Sequence, residues 1–160
     1  MLEQLKELLE MQRVLDESIF KEKGITEYPL DNMKVALFVE LGELMNEFPT
    51  KFKHWKSSAA DNREKGLVEY VDCLHFALSL ANQIDDFKMN TSYENTELKY
   101  TNSICEIVYF ISRNVEIDCY YAMFIGLFVL GKKLGFTWEE IYEAYKKKNA
   151  INYERLNNGY

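Results

Sequence analysis

VELGELMNEF at residues 39–48 and LVEYVDCLHF at residues 67–76 are apolar, helix-periodic segments that carry carboxylates. In the first, Glu40, Glu43 and Glu47 stand at i, i+3 and i+7. At about 100° per residue they share an arc of roughly 60° on one helix face. In the second, Glu69 and Asp72 stand three residues apart, so their side chains project from one face. A helix facing the core would carry leucine at these positions, so the carboxylates require an explanation.

The composition predicts an all-α protein with a single domain over residues 1–160. A chain of 160 residues with 48% hydrophobic and 14% aromatic residues is long enough to bury one core. It has 7 glycines and 2 prolines and no alternating strand pattern between turns. The net charge of −7 argues against nucleic-acid binding, because phosphate contacts need a basic surface.

Several features predict a cytoplasmic protein without a membrane segment. Three cysteines, Cys73, Cys105 and Cys119, lie in apolar surroundings without metal-ligand spacing, which indicates buried free thiols in a reducing compartment. The N-terminus is acidic and amphipathic, unlike a secretory signal. The apolar run at 119–131 is too short to span a bilayer. Since it is more apolar than a small domain easily covers, it predicts a homodimer interface.

Periodicity predicts a bundle of about five helices. They cover residues 2–20, 31–48, 67–86, 103–131 with a break near 114–118, and 137–156. Pro49 ends the second helix, and a basic loop with aromatic residues follows at 49–66. Thr137 and Glu140 form a capping box at the start of the last helix.

The carboxylates of the third helix lead to the prediction of a metal site between helices 2 and 3. Its apolar residues surround it almost completely, yet it carries Glu69 and Asp72 and no lysine or arginine between 67 and 84. Burying unpaired carboxylates costs several kcal/mol, and the facing helix adds Glu40 and Glu43. Repulsion among these acids is relieved by a divalent cation. A ligand set made only of oxygen atoms favours Mg²⁺ or Mn²⁺.

The acids have two other interpretations. In the first, some of them, Glu47 above all, are rim residues on a solvated face. The second is a di-iron bundle, which usually needs Glu-x-x-His on two helices. His75 follows Asp72 by three residues, but no second such pair exists, and His54 lies in the basic loop. The hard-cation site is therefore preferred.

Polar residues elsewhere predict a nucleotide ligand, since Mg²⁺ held by several acids typically bridges phosphate oxygens. Lys148, Asn152 and Arg155 stand at i, i+4 and i+7 on the last helix and form a row of donors. On the first helix, Gln12 and Asp16 interrupt the leucine stripe. A core-facing amide can read the edge of a base. The remaining candidates are Trp55, for stacking on that base, and Asn82, near a buried face.

These motifs resemble a known family. The pattern E-x-x-E followed by E-x-x-D in VELGELMNEF and LVEYVDCLHFALSLANQ is similar to that of the all-α nucleoside triphosphate pyrophosphatases. LLEMQRVLDESI, the FKHWK loop and YKKKNAINYERLNNGY resemble more narrowly the dimeric all-α dUTP diphosphatases of bacteria, their phages and kinetoplastids. The resemblance covers residues 5–84 and 120–160. In this chain Leu156 stands where the family often has glutamine.

The resemblance implies hydrolysis of dUTP to dUMP and pyrophosphate by a homodimer with Mg²⁺. The roles that it implies fall into three groups. The metal ligands would be Glu40, Glu43, Glu69 and Asp72. The residues that contact uracil and the nucleoside would be Gln12, Trp55 and Asn82. The residues that contact the phosphates would be Lys148, Asn152, Arg155 and Tyr160. Asp16 is placed with the substrate-binding residues because of its position beside Gln12.

Two alternative functions remain open from the sequence. One is the same chemistry on another nucleotide such as dCTP, as in MazG-type enzymes. The other is a helical interaction protein that binds a regulatory partner through the apolar region at 119–131. Measuring hydrolysis of a panel of nucleotides distinguishes the first alternative from dUTP hydrolysis. Metal titration distinguishes the second alternative from a metal-dependent enzyme.

Overall fold

The computed structural model describes residues 1–84 and 103–159, and this part of the chain is all-helical, without strands. Six α-helices and one 3₁₀ turn, at Pro49–Lys51, make up its regular structure. The helices are α1 Leu2–Lys23, α2 Leu30–Glu47, α3 Arg63–Ala81, α4 Ile104–Glu116, α5 Tyr120–Lys133 and α6 Trp138–Asn157. The predicted all-α class is confirmed.

The helix predicted at 103–131 is two helices, so the prediction of about five was one short in the described residues. The break lies where the sequence predicted it. Asp118 adopts a left-handed backbone with φ of 57°, which an α-helix cannot continue through. Its carboxylate accepts a hydrogen bond from the Tyr120 hydroxyl at 2.6 Å and pairs with Lys34 at 2.8 Å. These contacts hold the turn between α4 and α5.

The N-terminus of α3 lies four residues earlier than predicted, and its last residue is 81 rather than 86. The Asn62 side chain accepts a hydrogen bond from the backbone N–H of Lys65 and caps the helix. Gly66 lies against Phe48, whose ring would be 2.2 Å from any Cβ placed at Gly66. The missing side chain therefore lets the start of α3 pack closely on the end of α2.

The other helix ends follow local capping chemistry. At the start of α6, both hydrogen bonds of the predicted Thr137–Glu140 capping box are present. At the end of α1, Gly24 has φ of 66°, and the N–H of Ile25 bonds back to the carbonyl of Phe20. This cap turns the chain toward α2 and brings the connecting segment over the end of α1.

Helix α3 forms the centre of the bundle. It packs against α2 most extensively and also against α1, α5 and α6, while α4 packs on α5. Tyr70 on α3 is buried, and its hydroxyl donates to the carbonyl of Leu127 on α5 at 2.9 Å. The prediction that α3 is deeply buried is confirmed. Its polar face is therefore enclosed by α1, α2 and α6.

The burial of two predicted features differs from expectation. The apolar segment that forms α5 is largely covered by its own chain, with Met123, Phe124 and Leu130 fully buried. These three residues are therefore not available for contact with another chain, while the homodimer and the regulatory partner stay predictions. Of the three free cysteines only Cys73 is buried, whereas Cys105 is partly exposed and Cys119 is exposed at the start of α5.

None of the helices in residues 1–84 and 103–159 combines the length and the apolarity that a membrane span needs.

Candidate active site

The facing sides of α2 and α3 bring three of the predicted metal ligands together. Carboxylate oxygens of Glu40, Glu43 and Glu69 all lie within 4.8 Å of one another. Glu40 and Glu69 are partly buried, and Glu43 is exposed. Three carboxylates at this separation, with no sulfur or nitrogen ligand in the group, suit a hard cation such as Mg²⁺ or Mn²⁺.

Electrostatics within this acid cluster favour the binding of positive charge. Burial raises the pKa of Glu40 to about 7, and the carboxylates of Asp72, Glu43 and Glu69 add to the shift, against the opposing effect of Lys148. Burial, followed by Asp72 and Glu43, also raises the pKa of Glu69. A divalent cation would remove this repulsion.

The fourth predicted ligand, Asp72, lies beside the cluster and pairs with a lysine. Its Oδ2 accepts a hydrogen bond from Lys148 Nζ on α6 at 2.6 Å. Both side chains are mostly buried, with 16% and 19% exposed. Asp72 still acts on the cluster, because its charge is the largest contribution from a neighbour to the raised pKa of Glu40.

A cavity of about 460 Å³ opens beside this ion pair and is enclosed by α1, α2, α3 and α6. Its apolar lining includes Phe20 and Pro29. Its polar and charged lining residues come from four helices: Gln12, Asp16, Glu40, Asp72, His75, Lys148, Asn152 and Arg155. The cavity therefore joins part of the acid cluster to the predicted donor row of α6 and to the polar residues of α1.

A buried hydrogen-bond network forms the wall of the cavity contributed by α1. Gln12 and Asp16 are only 4% and 7% exposed. Gln12 Nε2 donates to Asp16 Oδ1 at 2.7 Å, and Gln12 Oε1 accepts from the Tyr145 hydroxyl at 2.8 Å. The same Oε1 lies 2.6 Å from Nδ1 of His75. Most of the hydrogen-bonding capacity of the Gln12 amide is therefore used within the protein.

Charge states in this network differ from those of exposed groups. Burial raises the pKa of Asp16 to about 6, in spite of hydrogen bonds from Ser79 and Gln12 that lower it. Burial also lowers the pKa of His75 to about 3, and the charge of Lys148 acts in the same direction. His75 is therefore neutral at physiological pH, and its ring stacks on Tyr145 with centroids 4.1 Å apart.

The family assignment comes from a comparison with known proteins. A family model described as dUTPase matches residues 4–160, nearly the whole chain. The chain belongs to the dUTPase family. Its members hydrolyse dUTP, so the protein is a hydrolase of nucleotide metabolism with a nucleotide substrate. No curated protein was found that matches the chain in sequence.

Two of the predicted dUTP-binding residues, Trp55 and Asn82, do not line the cavity of this dUTPase-family protein. Trp55 is 67% exposed and packs edge-on against His54 and Phe52, outside the cavity lining. Asn82 donates its amide to the carbonyl of Leu9 at 3.1 Å and so ties α3 to α1. Tyr160 lies outside the described residues.

Sequence reasoning missed His75 as a cavity residue. The sequence presented it as a partner of Asp72 in a di-iron motif, and that interpretation was set aside. The usable signal was its position one helical turn after Asp72, which puts both side chains on the same face of α3.

Proposed function

We propose that this dUTPase-family protein hydrolyses dUTP to dUMP and pyrophosphate with Mg²⁺, or Mn²⁺ in its place, held by Glu40, Glu43, Glu69 and Asp72. The observation that carries the proposal is the shared cavity. Carboxylates of α2 and α3 and the cationic row of α6 line the same space of about 460 Å³. A triphosphate with its metal needs acids for the cation and basic groups for the phosphate oxygens.

The ligand set fits a magnesium ion. The three clustered glutamates offer only oxygen atoms, and Asp72 lies close enough to raise the pKa of Glu40. When bound in such a site, Mg²⁺ neutralises phosphate charge and lowers the pKa of a coordinated water.

Glu40 is our candidate for the general base. A general base works best when its pKa lies near the operating pH, and burial, the largest cause of the raised pKa of Glu40, acts in that direction. Glu40 also lines the cavity, where it would orient the attacking water and accept its proton.

The α6 row would hold the phosphates. Lys148, Asn152 and Arg155 all line the cavity. A lysine and an arginine placed there stabilise the negative charge that develops on the phosphate oxygens during bond cleavage. Lys148 also pairs with Asp72 at 2.6 Å, which places the lysine between the acids of α3 and the donors of α6.

We also propose a homodimer, with an interface different from the one expected from the sequence. Val35, Phe38 and Val39 form an apolar face on α2 and are 58%, 39% and 51% exposed. Tyr109 on α4 adds a ring that is 76% exposed. Burial of this face in a dimer would remove it from water. Light scattering of the wild type should give twice the mass of the chain, and Val39→Glu should give a monomer; a monomeric wild type at micromolar concentration contradicts the proposal.

The experiment that tests the function is a substrate panel. Pyrophosphate release is measured with dUTP, dCTP, dTTP and UTP in Mg²⁺ and again in EDTA. The proposal requires dUTP to be the best substrate and EDTA to stop its hydrolysis. Preferential hydrolysis of dCTP would favour the MazG-type alternative, and release of inorganic phosphate from dUTP without pyrophosphate would contradict the proposed products.

A further inference from the structure

Residues 24–29, which connect α1 to α2 and which we name the strap, form one side of the cavity. Ile25 and Pro29 of the strap line the cavity, and every other described lining residue lies on one of the four helices. Ile25 is also 38% exposed to solvent. A side chain that contacts both the cavity and water belongs to a thin wall, so the strap separates the cavity from solvent at this point.

Tyr28 attaches the strap to the bundle. Its hydroxyl lies 2.9 Å from Oγ of Ser79, which is on α3 and fully buried. The Tyr28 ring packs edge-on against Phe20 of α1, with centroids 5.8 Å apart. Burial raises the pKa of Tyr28 to about 12, so the hydroxyl keeps its proton at physiological pH and the hydrogen bond to Ser79 is neutral. A single neutral hydrogen bond is weak enough to break and form again.

The two ends of the strap differ in backbone freedom. Gly24 has φ of 66°, a region that glycine adopts without strain, and a Cβ placed there would meet no atom within 4 Å. The position therefore favours glycine for its backbone conformation rather than for lack of space. At the other end, the ring of Pro29 fixes φ just before the first turn of α2. Residues 25–27 between them are exposed. Such a segment can swing about its glycine end.

We propose that the strap is the gate of the cavity, that it opens about Gly24 when Tyr28 separates from Ser79, and that Tyr28 is a positioning residue which sets the rates of nucleotide entry and release. The identity of the molecule that passes the gate rests on the proposed function, whereas the gate rests on the contacts of the strap. Tyr28 does not line the cavity, so removal of its hydroxyl should change these rates without removing a contact to the nucleotide.

The first test needs no nucleotide. Leu15 lines the cavity and is 1% exposed, so Leu15→Cys introduces a thiol that an aromatic disulfide reagent can reach only through an opening. Cys105→Ser and Cys119→Ser remove the two more exposed thiols, and Cys73, buried outside the cavity lining, stays as an internal reference. Mass spectrometry of peptides distinguishes the two labelled thiols. When opening and closing are fast compared with labelling, the labelling rate is proportional to the open fraction.

Tyr28→Phe keeps the aromatic ring and removes the hydroxyl. In this background the introduced thiol should be labelled about fivefold faster, while Cys73 should react as slowly as before. An unchanged rate at the introduced thiol overturns the proposal. Equal acceleration of both thiols also overturns it, because that result indicates a general loosening of the fold. Should Leu15→Cys fail to fold, Ile19→Cys, at a partly buried lining position, takes its place.

Ser79→Ala removes the other partner of the same hydrogen bond. It should give the same increase in labelling rate, and the double variant with Tyr28→Phe should be no faster than either single variant, because both substitutions break one bond. Additive increases would show that the two hydroxyls act independently, and they would overturn the proposal. Tyr121→Phe, on α5 and outside the cavity lining, is the matched control and should leave the labelling rate unchanged.

The second test measures the passage of a nucleotide, with dUMP as the probe. NMR exchange measurements should show that the association and dissociation rate constants of dUMP both rise about fivefold in Tyr28→Phe. Because both rates change together, Kd should stay within about twofold of wild type. A weaker Kd with an unchanged association rate would make Tyr28 a binding residue and would overturn the proposal.

The outcomes separate the gate from the proposed function. If the wild type hydrolyses dUTP to pyrophosphate and Tyr28→Phe leaves the labelling rate unchanged, the gate is wrong while the proposed function stands. If the wild type releases no pyrophosphate from dUTP but labelling accelerates only at the introduced thiol, the proposed function is wrong while the gate stands.

Discussion

The acid cluster of Glu40, Glu43 and Glu69 and the network around Gln12 both place polar groups in apolar helices, but they differ in how these groups are satisfied. In the acid cluster, like charges lie within 4.8 Å of one another and remain partly open to water. Around Gln12, hydrogen-bond donors and acceptors pair with each other, Asp16 being the one carboxylate that the amide contacts, and these residues are more than nine-tenths buried. The first arrangement would be relieved by an external cation, whereas the second is largely satisfied within the protein. Under the proposed function, the acid cluster would neutralise charge, and the network around Gln12 would form the part of the cavity wall nearest the base.

The largest expected effect comes from removing one charge of the acid cluster. Glu43→Gln should lower kcat/KM for dUTP by roughly a thousandfold, because the site loses a ligand for the cation that stabilises the phosphates. The fold should persist, since Glu43 is exposed. Pyrophosphate release at saturating Mg²⁺ measures the effect. Glu64→Gln, in the exposed first turn of α3, is the control and should match wild type; near wild-type activity of Glu43→Gln would remove Glu43 from the metal site.

A second prediction addresses the ion pair of Lys148 and Asp72, both of which line the cavity. Lys148→Met should lower kcat/KM for dUTP about a hundredfold, because a cationic contact to the phosphates is lost. Its affinity for Mn²⁺ without nucleotide should stay equal or rise, since Lys148 no longer competes for Asp72 at 2.6 Å. Calorimetry measures the metal affinity. Lys147→Met changes an exposed neighbour and should alter neither quantity; weaker Mn²⁺ binding by Lys148→Met would show that the lysine supports the metal site rather than competing with it.

The acid cluster was predictable from the sequence because carboxylates at helical spacing in an apolar helix have few explanations. The sequence spacing puts Glu40 and Glu43 on one face of α2 and predicts that Glu69 of α3 faces them. The structure brings the three carboxylates together as predicted. The capping box at Thr137 was predictable for a similar reason, since it depends on residues three apart. Both features are local, and one helical period is enough to place them.

The network around Gln12 could be predicted only in part, because it depends on contacts between distant helices. The polarity of Gln12 and Asp16 on the leucine stripe was visible, but their partners His75 and Tyr145 are 63 and 133 residues from Gln12 along the chain. The burial of α5 by its own chain was likewise not predictable, because it depends on how the other helices pack. These features depend on long-range packing, which a local sequence pattern does not encode.

A third prediction tests whether the amide of Gln12 holds its neighbours in position or is a core side chain that leucine can replace. Gln12→Leu should raise KM for dUTP about tenfold and narrow its preference over dCTP. The sequence alone suggests that leucine would preserve or increase stability. The structure reverses this expectation, because the Tyr145 hydroxyl and the His75 N–H would lose their common acceptor, at a cost of about 1–3 kcal/mol in the free energy of unfolding.

Urea denaturation and kinetics on both nucleotides check this prediction. Leu9 is partly buried on the same helix, and Leu9→Gln gives the reciprocal change outside the cavity lining. The Leu9→Gln variant should have a lower free energy of unfolding, but its ratio of kcat/KM for dUTP to that for dCTP should equal that of wild type. An unchanged ratio in Gln12→Leu would mean that base selection does not pass through the network.

The smallest expected effect concerns the stability of the metal-free protein and its dependence on pH. The pKa of Glu40 is raised from 4.5 to about 7 in the folded state, so the folded protein holds this proton more tightly than the unfolded chain. Between these values the unfolded chain releases the proton first, and stability falls as the pH rises; above pH 7 the full penalty is present. Glu40→Gln lacks this penalty and should be more stable than wild type at pH 8 by about 1 kcal/mol, less than the full shift implies because the side chain is partly open to water.

Thermal denaturation in EDTA at pH 5 and pH 8 measures this difference, which should correspond to a rise of about 3 °C in Tm at pH 8 and a much smaller one at pH 5. Mg²⁺ should then raise the Tm of wild type more than that of Glu40→Gln, because the cation relieves a repulsion that the variant no longer has. Glu64→Gln again serves as the control, with an unchanged dependence on pH. If Glu40→Gln and wild type lose stability in parallel from pH 5 to pH 8, the repulsion lies elsewhere, and the contrast between a strained acid cluster and a satisfied amide network would no longer hold.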